Sequence, residues 1–591
     1  MKRVTTSVES PLSSMTATWH PSWWSKAFVL SLAIVQFCLL AICAHRDSFC
    51  WDEVAQLPAG LFHWEHGEFG MVRVNPPLVR MVATLPLLVL GYESDWSEYT
   101  NDITIRPEWI VSERFLQLNG TRSFWLLTVA RITCLPFALL GLWTCWRWAG
   151  EWFGDAASVL AATMWTFSPN ILGHGHLMTP DLAGTAIGVT AFYAFGQWLR
   201  APNLPSAVLT GVAFGHAQAA KSSWIVLFGM WPVLWLLWRL SYRDSGQKRS
   251  SCVELGQLAL ILLLGVFVLN VWYGFDGTMK SLGDYQFLSR ALGGSHTDDQ
   301  FIPGNFAVGT WLEHVPVPLP HEYIQGVDRQ KLHFELPDYS YLRGKWRDRG
   351  WWYYYVYGAL VKEPIGFWLL GMLAVSIAAG SKSYRVQWRN ELLLLAPIIV
   401  FTLFISSQRG FNRHLRYLLP VFPFVFIFTS RVAQCIAKRE WILIVLSGGC
   451  TIWALFSSML VYPHSLSYFN EWVGGPRNGH NHLLSSNTDW GQDLLYLRDW
   501  VQAHPEASPL HLKWHTRVID PQIVGLDVPE VPGRPTPGWH IISVNSLRGR
   551  GGKYAYLLRV EPVATIGFSL FVYHISEEDC FRLEQLTRSQ L

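Results

Sequence analysis

The chain is poor in charge, since only 15% of its 591 residues are charged whereas 50% are hydrophobic. Soluble globular chains carry about 25% charged residues, so this composition argues against a soluble protein. The formal net charge is +3 and no tract rich in lysine and arginine occurs, which argues against nucleic acid as a partner. Aromatic side chains are abundant instead, with 32 tryptophans, and tryptophan concentrates at membrane interfaces.

Two chemical motifs are missing as well. The nine cysteines are scattered without a CxxC pair, so their spacing predicts neither a zinc site nor a disulfide framework. No glycine-rich phosphate loop occurs, which argues against direct use of a nucleotide.

The first apolar run, residues 25–45, lacks a clear cleavage site and is followed by further runs. We therefore interpret it as a retained helix and not as a signal peptide.

Apolar runs of about 20 residues, the length that crosses a bilayer, recur along the chain. We predict eleven spans, centred near residues 35, 135, 164, 190, 212, 231, 265, 370, 400, 424 and 451. The fifth is the weakest because it is short and contains Gly215 and His216. The sequence therefore predicts a polytopic α-helical membrane protein.

Lysine and arginine are distributed unevenly between the predicted spans. With the N-terminus inside, the three short outer connections carry only Lys221, Arg409, Arg413 and Arg416. The inner segments carry fifteen basic residues: Lys2, Arg3, Lys26, Arg147, Arg200, Arg239, Arg243, Lys248, Arg249, Lys382, Arg385, Arg389, Arg431, Lys438 and Arg439. Because short cytoplasmic loops are enriched in these residues, the asymmetry predicts a multi-pass plasma (inner) membrane protein with a cytoplasmic N-terminus.

The spacing of the spans divides the chain into three parts. We predict a cytoplasmic tail at residues 1–25, a transmembrane domain at 26–462 and a soluble extracytoplasmic domain at 463–591. Two extracytoplasmic loops of the transmembrane domain, 46–122 and 276–352, are too long to be simple connections.

Local patterns indicate what these outer parts contain. Residues 78–91 form an apolar stretch that is too short and interrupted to span, and we expect it to lie along the membrane interface. Residues 491–504 have the period of an amphipathic helix, whereas 540–547 and 564–575 resemble strands. The C-terminal domain is therefore predicted to be a small α/β fold.

Adjacent carboxylates, Asp52 and Glu53, stand where the chain leaves the first span. Charge is costly near hydrocarbon. Neighbouring residues on a helix point about 100° apart, so one carboxylate can face a reaction centre while the other anchors the loop. An outward carboxylate suits a general base that deprotonates an incoming hydroxyl or amine. The alternative is that Asp52 only caps a helix that starts at Glu53.

A second polar group, His174, His176 and Asp181, lies between the third and fourth spans. These three side chains can bind a divalent cation, although no HxxxH or HExxH spacing supports a zinc site. Asp181 follows a proline and opens the fourth helix, so helix capping alone also explains it.

Basic residues at the predicted outer ends form a third group, made of Arg131, Lys221, Arg413, His414 and Arg416. A cation within a span is costly and is usually paired or functional. Phosphate is a natural partner, which arginine holds with two hydrogen bonds. The alternative for Arg416 is snorkelling to the interface or pairing with a nearby carboxylate.

Two further clusters have structural interpretations. Lys362 and Glu363 can form a mutually neutralising ion pair at the start of the eighth span. In the C-terminal domain, Asn487, Asp489, Trp490 and Asp493 form a polar-aromatic cluster that can stack on a sugar. We favour a capped helix start there, with Trp490 in the core of the C-terminal domain.

Outward carboxylates, membrane-level cations and aromatic loops together suit a lipid-phosphate substrate. The phosphate would be the leaving group, and arginine or lysine would stabilise its developing charge.

Five stretches make the chain resemble the GT-C glycosyltransferases that use polyprenyl-phosphate sugars, the clan of protein O-mannosyltransferases and lipid A aminoarabinose transferases. They are the Asp52–Glu53 pair, RVNPPLVRM (73–81), TPDLAG (179–184), AAKSSWIVL (219–227) and RHLRYLLPVFPF (413–424). The tail, in LSYFNEWVGGPRNGHNHLLSSNTDWGQDL (466–494) and PVATIGFSLFVYHI (562–575), resembles bacterial phospholipid carrier-dependent glycosyltransferases. It lacks MIR repeats, which departs from the eukaryotic protein O-mannosyltransferases.

The resemblance implies a GT-C-like catalytic domain at 26–462 and a polyprenyl-phosphate-linked sugar as donor. It implies that Asp52 is the general base with Glu53 as its supporting neighbour, and that Asp181 is near the acceptor or a possible divalent metal. It places Lys221 and Arg413, with the adjacent His414, on the phosphate side. We add Arg131 to the phosphate-side residues only because a cation within a span is costly and needs a partner. The clan's inverting members form no covalent sugar–enzyme intermediate.

Three other functions are compatible with parts of this pattern. A secondary transporter would place charges near the bilayer midplane in two matching halves, whereas here the halves do not match. A polysaccharide polymerase or ligase would transfer a preassembled glycan. A non-catalytic sugar-binding protein would tolerate loss of Asp52. The sequence leaves the acceptor open between protein, lipid and polysaccharide.

Overall fold

A computed structural model describes residues 19–240, 251–297, 300–336, 338–408, 410, 412–516 and 518–588. Most of the predicted cytoplasmic tail, with Lys2 and Arg3, lies outside the described residues. So do Arg243, Lys248, Arg249 and Arg409 of the charge pattern.

Helices make up most of the described chain. They are α1 (Trp23–Arg46), α2 (Trp51–His66), α3 (Leu78–Thr84), α4 (Leu87–Leu90), α5 (Glu108–Asn119), α6 (Arg122–Phe153), α7 (Asp155–Phe167), α8 (Pro169–Gly175), α9 (Pro180–Arg200), α10 (Leu204–Ala220), α11 (Leu227–Leu240), α12 (Ser251–Trp272), α13 (His321–Glu335), α14 (Tyr354–Lys362), α15 (Ile365–Gly380), α16 (Trp388–Ser407), α17 (Phe422–Ser430), α18 (Gln434–Lys438), α19 (Trp441–Val461), α20 (Leu494–Ala503), α21 (Val544–Leu547) and α22 (Glu577–Arg588). The strands are β1 (Ser295–His296), β2 (Phe301–Ile302), β3 (Ser340–Leu342), β4 (Lys345–Arg347), β5 (Leu510–Lys513), β6 (Gly538–Ser543), β7 (Ala564–Ile566) and β8 (Leu570–Ile575).

Within the described residues, seven helical segments are long and apolar enough to cross a membrane: Trp23–Arg46, Arg122–Phe153, Ser222–Leu240, Ser251–Trp272, Trp388–Ser407, Leu415–Lys438 and Trp441–Val461. The pair α14 and α15, bent by 113°, makes an eighth if it is one span. This confirms the polytopic α-helical prediction. The predicted spans near residues 164, 190 and 212 coincide with α7, α9 and α10, which do not meet this test. For these three, spanning stays a prediction.

Burial separates the interior helices from those that face outward. In α9, most side chains are buried on all sides, as in a helix at the centre of a bundle. Helices α1, α12 and α19 instead expose large apolar side chains, among them Ile34, Phe267 and Val445. Such exposure suits contact with lipid and not with water.

Small residues on α9 bring the end of α10 close to it. A Cβ added at Gly184 would lie 2.8 Å from Cβ of Lys221, and one added at Gly188 would overlap the ring of Trp224. The indole of Trp224 donates a hydrogen bond to the carbonyl of Gly184 at 2.8 Å. This contact sets Lys221, the residue that ends α10, beside Asp181 at the start of α9.

The segment between α1 and α6 folds as short helices against the bundle. The apolar stretch 78–91 forms α3 and α4 with a break at Leu85 and Pro86, which confirms that it is too short to span. Its buried Arg80 donates hydrogen bonds to His63 at 2.8 Å and to Gln56 at 3.0 Å on α2. The loop is therefore fixed to the helix that carries Asp52.

The C-terminal part contains a four-stranded sheet in the order β5-β6-β8-β7. Strands β5 and β6 are parallel, and the other pairs are antiparallel. The predicted strand 540–547 ends at Ser543, where α21 begins, and the predicted strand 564–575 is two strands joined at Gly567 and Phe568, both with positive φ. Buried residues of the tail, such as Leu494, belong to the same hydrophobic core as the helices.

Candidate active site

A cavity of roughly 770 Å³ lies where loops between the helices, helix ends and the C-terminal part meet. Its acidic, basic and histidine lining residues come from all of these parts: Asp52, Arg106, Glu108, Asp181, Lys221, Lys331, His333, Asp338, Arg413, His414, Arg416, Asp489 and His515. The start of α2, the start of α9 and the residue after α10 thus contribute Asp52, Asp181 and Lys221 to one space.

Asp52 lies in the first turn of α2 and faces the cavity. The N-cap of α2 is Cys50, so the interpretation of Asp52 as a mere helix cap is wrong. Oδ2 of Asp52 lies 3.0 Å from Nη2 of Arg416, and the carboxylate is 28% exposed. Burial raises the pKa of Asp52 above its ordinary value of 3.8, while the Arg416 charge opposes that rise.

Four charges of alternating sign form a chain through the site. Arg416 lies between Asp52 and Asp181, whose Oδ2 is 3.8 Å from Nε of Arg416. Nζ of Lys221 lies 2.7 Å from Oδ1 of Asp181. Among the described residues, Nε and Nη1 of Arg416 and the hydroxyl of Ser223 are buried without a hydrogen-bond partner. Buried donors of this kind are costly unless an acceptor occupies the space they face.

Glu53 points away from the cavity into the protein. Its carboxylate forms a fully buried ion pair with Arg131 at 2.5 Å and accepts backbone hydrogen bonds from Cys50 and Met178 at 3.0 Å. One carboxylate of the pair therefore faces the cavity while the other anchors the loop, as the 100° separation predicts.

Arg131 does not line the cavity. All of its nitrogens donate hydrogen bonds, to Glu53 and to the backbone carbonyls of Ala44, Asp47 and Ser48. A guanidinium has five N–H donors, so none is left for a ligand. The predicted placement of Arg131 on the phosphate side is therefore corrected. Glu53 supplies the negative charge that stabilises the buried guanidinium.

Arg413 and His414 both line the cavity. The guanidinium of Arg413 pairs with Asp338 and donates to the carbonyl of Tyr339 at 3.0 Å. Nδ1 of His414 lies 2.7 Å from the hydroxyl of Ser486. Burial and the neighbouring arginines hold the pKa of His414 well below its ordinary value, so the ring is neutral. Arg413 is thus already paired with a carboxylate.

The proposed metal ligands His174, His176 and Asp181 do not form one site. Burial lowers the pKa of His174 to about 3, and its ring packs edge-on against Trp490. Nε2 of His176 lies 3.0 Å from Asp47 instead. Within the described chain, the group of ligand atoms close enough to share a metal contains His176 without the other two.

Trp490 is a site residue whose position the sequence did not reveal. Its ring centroid lies 3.9 Å from the guanidinium carbon of Arg416, and it lines the cavity. It clusters with Cys50, Leu177 and Leu466, so the predicted placement in the core of the C-terminal domain is wrong.

The backbone next to Trp490 pairs with the chain just before Asp52. The amide of Trp51 donates to the carbonyl of Trp490 at 2.9 Å, and the amide of Ser48 donates to Gln492 at 2.9 Å. The hydroxyl of Ser48 donates to the carbonyl of Gly491 at 2.6 Å. The C-terminal part thereby holds the start of α2 in place.

Lys362 and Glu363 have separate partners, so their interpretation as a mutual ion pair is wrong. The ammonium of Lys362 donates to the carbonyls of Leu466 and Asn487 in the C-terminal part. Glu363 accepts from Ser168 at 2.5 Å and from Asn170 at 2.9 Å. Lys362 fastens the C-terminal part to α14.

Apolar side chains line the cavity together with the charged ones, among them Val72, Ile225, Phe404 and Ile405. Phe404 and its neighbour Leu403, near the end of α16, are 38% and 65% exposed. The lining therefore offers apolar as well as ionic contacts to a ligand.

Residues 107–272 match the family model described as dolichyl-phosphate-mannose-protein mannosyltransferase. This match confirms the resemblance predicted from the sequence and indicates a glycosyltransferase. No curated protein sequence matches the chain.

Two crystal structures of ArnT from Cupriavidus metallidurans are similar to the chain. The apo form is 14% identical in sequence and has a TM-score of 0.45. The match covers 93% of this chain and 98% of the ArnT chain. The form bound to undecaprenyl phosphate is 11% identical in sequence and has a TM-score of 0.43. The match covers 94% of this chain and 99% of the ArnT chain.

Proposed function

We propose that the chain transfers a sugar from a polyprenyl-phosphate donor to an acceptor on the extracytoplasmic face of the membrane. The observation that carries this proposal is the charge chain from Asp52 through Arg416 and Asp181 to Lys221. It sets a carboxylate beside cationic donors that have no hydrogen-bond partner among the described residues, in a cavity that apolar side chains also line.

The phosphate of the donor binds between Lys221 and Arg416. Nε and Nη1 of Arg416 and the Ser223 hydroxyl supply hydrogen-bond donors that the protein itself leaves unused. Asp181 sits within 4 Å of both cations and holds them in position. The prenyl chain leaves along Ile225 and Phe404 toward lipid.

The reaction is a single displacement at the anomeric carbon. Asp52 accepts the proton of the acceptor hydroxyl or amine, whose oxygen or nitrogen forms a bond to the anomeric carbon. The bond from that carbon to the phosphate oxygen breaks, and the electron pair stays on polyprenyl phosphate. Lys221 and Arg416 stabilise the charge that develops there.

The remaining predicted residues support this centre. Glu53 and Arg131 fix the turn between α1 and α2, so they position Asp52 and do not contact substrate. Arg413 and His414 remain candidates for the outer edge of the donor site, since both line the cavity.

The test uses the purified protein in lipid nanodiscs with synthetic polyprenyl-phosphate sugars. We expect release of polyprenyl phosphate, measured by mass spectrometry, and a loss of about 10²- to 10⁴-fold in Asp52→Asn, the usual contribution of a general base. Asp95→Asn, an exposed carboxylate of the same outer loop that pairs with Arg114, serves as the matched control. Full turnover in Asp52→Asn would remove the base role, and a requirement for a lipid-linked glycan chain would indicate a ligase.

A further inference from the structure

Three buried side chains of different chemistry meet beside the site but outside its cavity. They are Cys43 in the last turn of α1, Asp47 directly after α1, and His176 directly after α8. One ligand atom from each lies within 4.8 Å of the other two. Their exposures are 1%, 6% and 2%, and none of the three lines the cavity.

The ring of His176 leaves one buried nitrogen without a hydrogen-bond partner within the described residues. Nδ1 faces the carbonyl oxygen of Leu172 at 3.3 Å, which favours a proton on that nitrogen. Nε2 lies 3.0 Å from Oδ2 of Asp47, yet it makes no hydrogen bond within the described residues. A cation bound by both atoms would satisfy the buried nitrogen and neutralise the carboxylate.

Metal-binding histidines have this same arrangement. The ring nitrogen that does not bind the metal donates to a backbone carbonyl or carboxylate, which fixes the tautomer and the direction of the ring. A sulfur, an imidazole nitrogen and a carboxylate oxygen are donors that zinc accepts, whereas calcium and magnesium prefer oxygen alone.

We propose that Cys43, Asp47 and His176 bind one divalent transition-metal ion of the zinc type. On binding, the Cys43 thiol releases its proton to solvent and the thiolate sulfur bonds to the metal. The carbonyl oxygen of Pro463, 3.7 Å from that sulfur, is a further oxygen donor next to the trio.

The position of the trio indicates a structural role. It joins the end of α1, the end of α8 and the segment that begins the C-terminal part at Pro463. The chain runs from Asp47 directly into Ser48 and then Asp52, so a metal here would stiffen the turn that carries the base. The site is independent of the proposed function, because its evidence is ligand geometry alone.

The experiment measures metal on the purified full-length chain in nanodiscs, with any affinity tag removed. After loading with zinc and removal of excess, we expect about one equivalent in the wild type and a several-fold lower content in Cys43→Ser and Asp47→Asn. Cys145→Ser is the matched control, because Cys145 is equally buried in α6 and is not part of the trio. Loading with cobalt should give a sulfur-to-cobalt charge-transfer band in the wild type that Cys43→Ser lacks.

A wild type that takes up neither zinc nor cobalt would overturn the proposal and leave a buried His176–Asp47 ion pair as the explanation. Equal metal content in Cys43→Ser would overturn it too. If that variant does not fold, the wild-type cobalt spectrum decides alone, since only a thiolate ligand gives the charge-transfer band.

Discussion

The indole of Trp490 covers the guanidinium of Arg416 at 3.9 Å, and the backbone carbonyl of the same tryptophan accepts a hydrogen bond from Trp51, the residue before Asp52. One residue of the C-terminal part therefore contacts both the cation and the segment of the base. Trp490 is a positioning residue under the proposed function, acting through Arg416 and α2.

Replacing Trp490 tests this role. Trp490→Leu removes a cation–π contact that is worth about 0.5–2 kcal/mol, so we expect kcat to fall by roughly tenfold. Trp490→Phe keeps an aromatic face and should recover most of the rate. Trp472→Leu, an exposed tryptophan of the same region, is the control. A loss shared equally by Leu, Phe and the control would speak against a contact with Arg416.

The pH dependence of the reaction reports on Asp52. A base works when ionised, and burial raises the pKa of Asp52 above 3.8. We therefore expect kcat/KM to fall as the pH drops through that raised pKa. The Arg416 charge lowers the pKa of Asp52, so Arg416→Gln should move the acidic limb to higher pH and Arg416→Lys should move it less.

Rate profiles measured over a broad pH range check this prediction, with the surface variant Arg114→Gln as control. An acidic limb that stays in place or moves to lower pH in Arg416→Gln would show that Asp52 is not the group that titrates.

Lys221 should act on the donor. Lys221→Met removes a charge-assisted hydrogen bond to phosphate, typically worth about 1.5–3 kcal/mol, and we expect the KM for the donor to rise by roughly 10- to 100-fold. Lys221→Arg keeps the charge beside Asp181 and should lose less. Lys280→Met, a lysine outside the cavity lining, is the control. Donor titrations with unchanged KM in Lys221→Met would place the phosphate elsewhere.

Glu53 should matter for stability. Glu53→Gln leaves the guanidinium of Arg131 buried without its counter-charge, and breaking such a pair costs about 3–5 kcal/mol. We expect a clearly lower thermal unfolding midpoint in detergent, measured beside the exposed-carboxylate variant Glu113→Gln. A midpoint equal to that of the wild type would mean that the pair contributes little to the fold.

Much of this site could be predicted from the sequence because membrane helices alternate in direction. The length of the apolar runs and the bias of basic residues place Asp52, Asp181, Lys221 and Arg416 on the same predicted side of the membrane. The structure brings these four residues into one charge chain.

The sequence could not show in which direction individual side chains point. The burial cost of Arg131 predicts a partner, but it does not say whether that partner is a ligand or Glu53, since this depends on which way two adjacent carboxylates turn. His174 and His176 are two residues apart and face different neighbours. The sequence singled out Trp490 as part of a polar-aromatic cluster but not as a neighbour of Arg416, because that contact depends on how the C-terminal part docks.

The hydrogen bond from Ser48 to Gly491 links positions 443 residues apart. At ribosomal speeds of about 5–20 residues per second, the chain that carries Asp52 waits about 20 to 90 seconds before its later partner is synthesised. A nascent chain that has not reached Gly491 therefore lacks the contacts that hold the start of α2 in place.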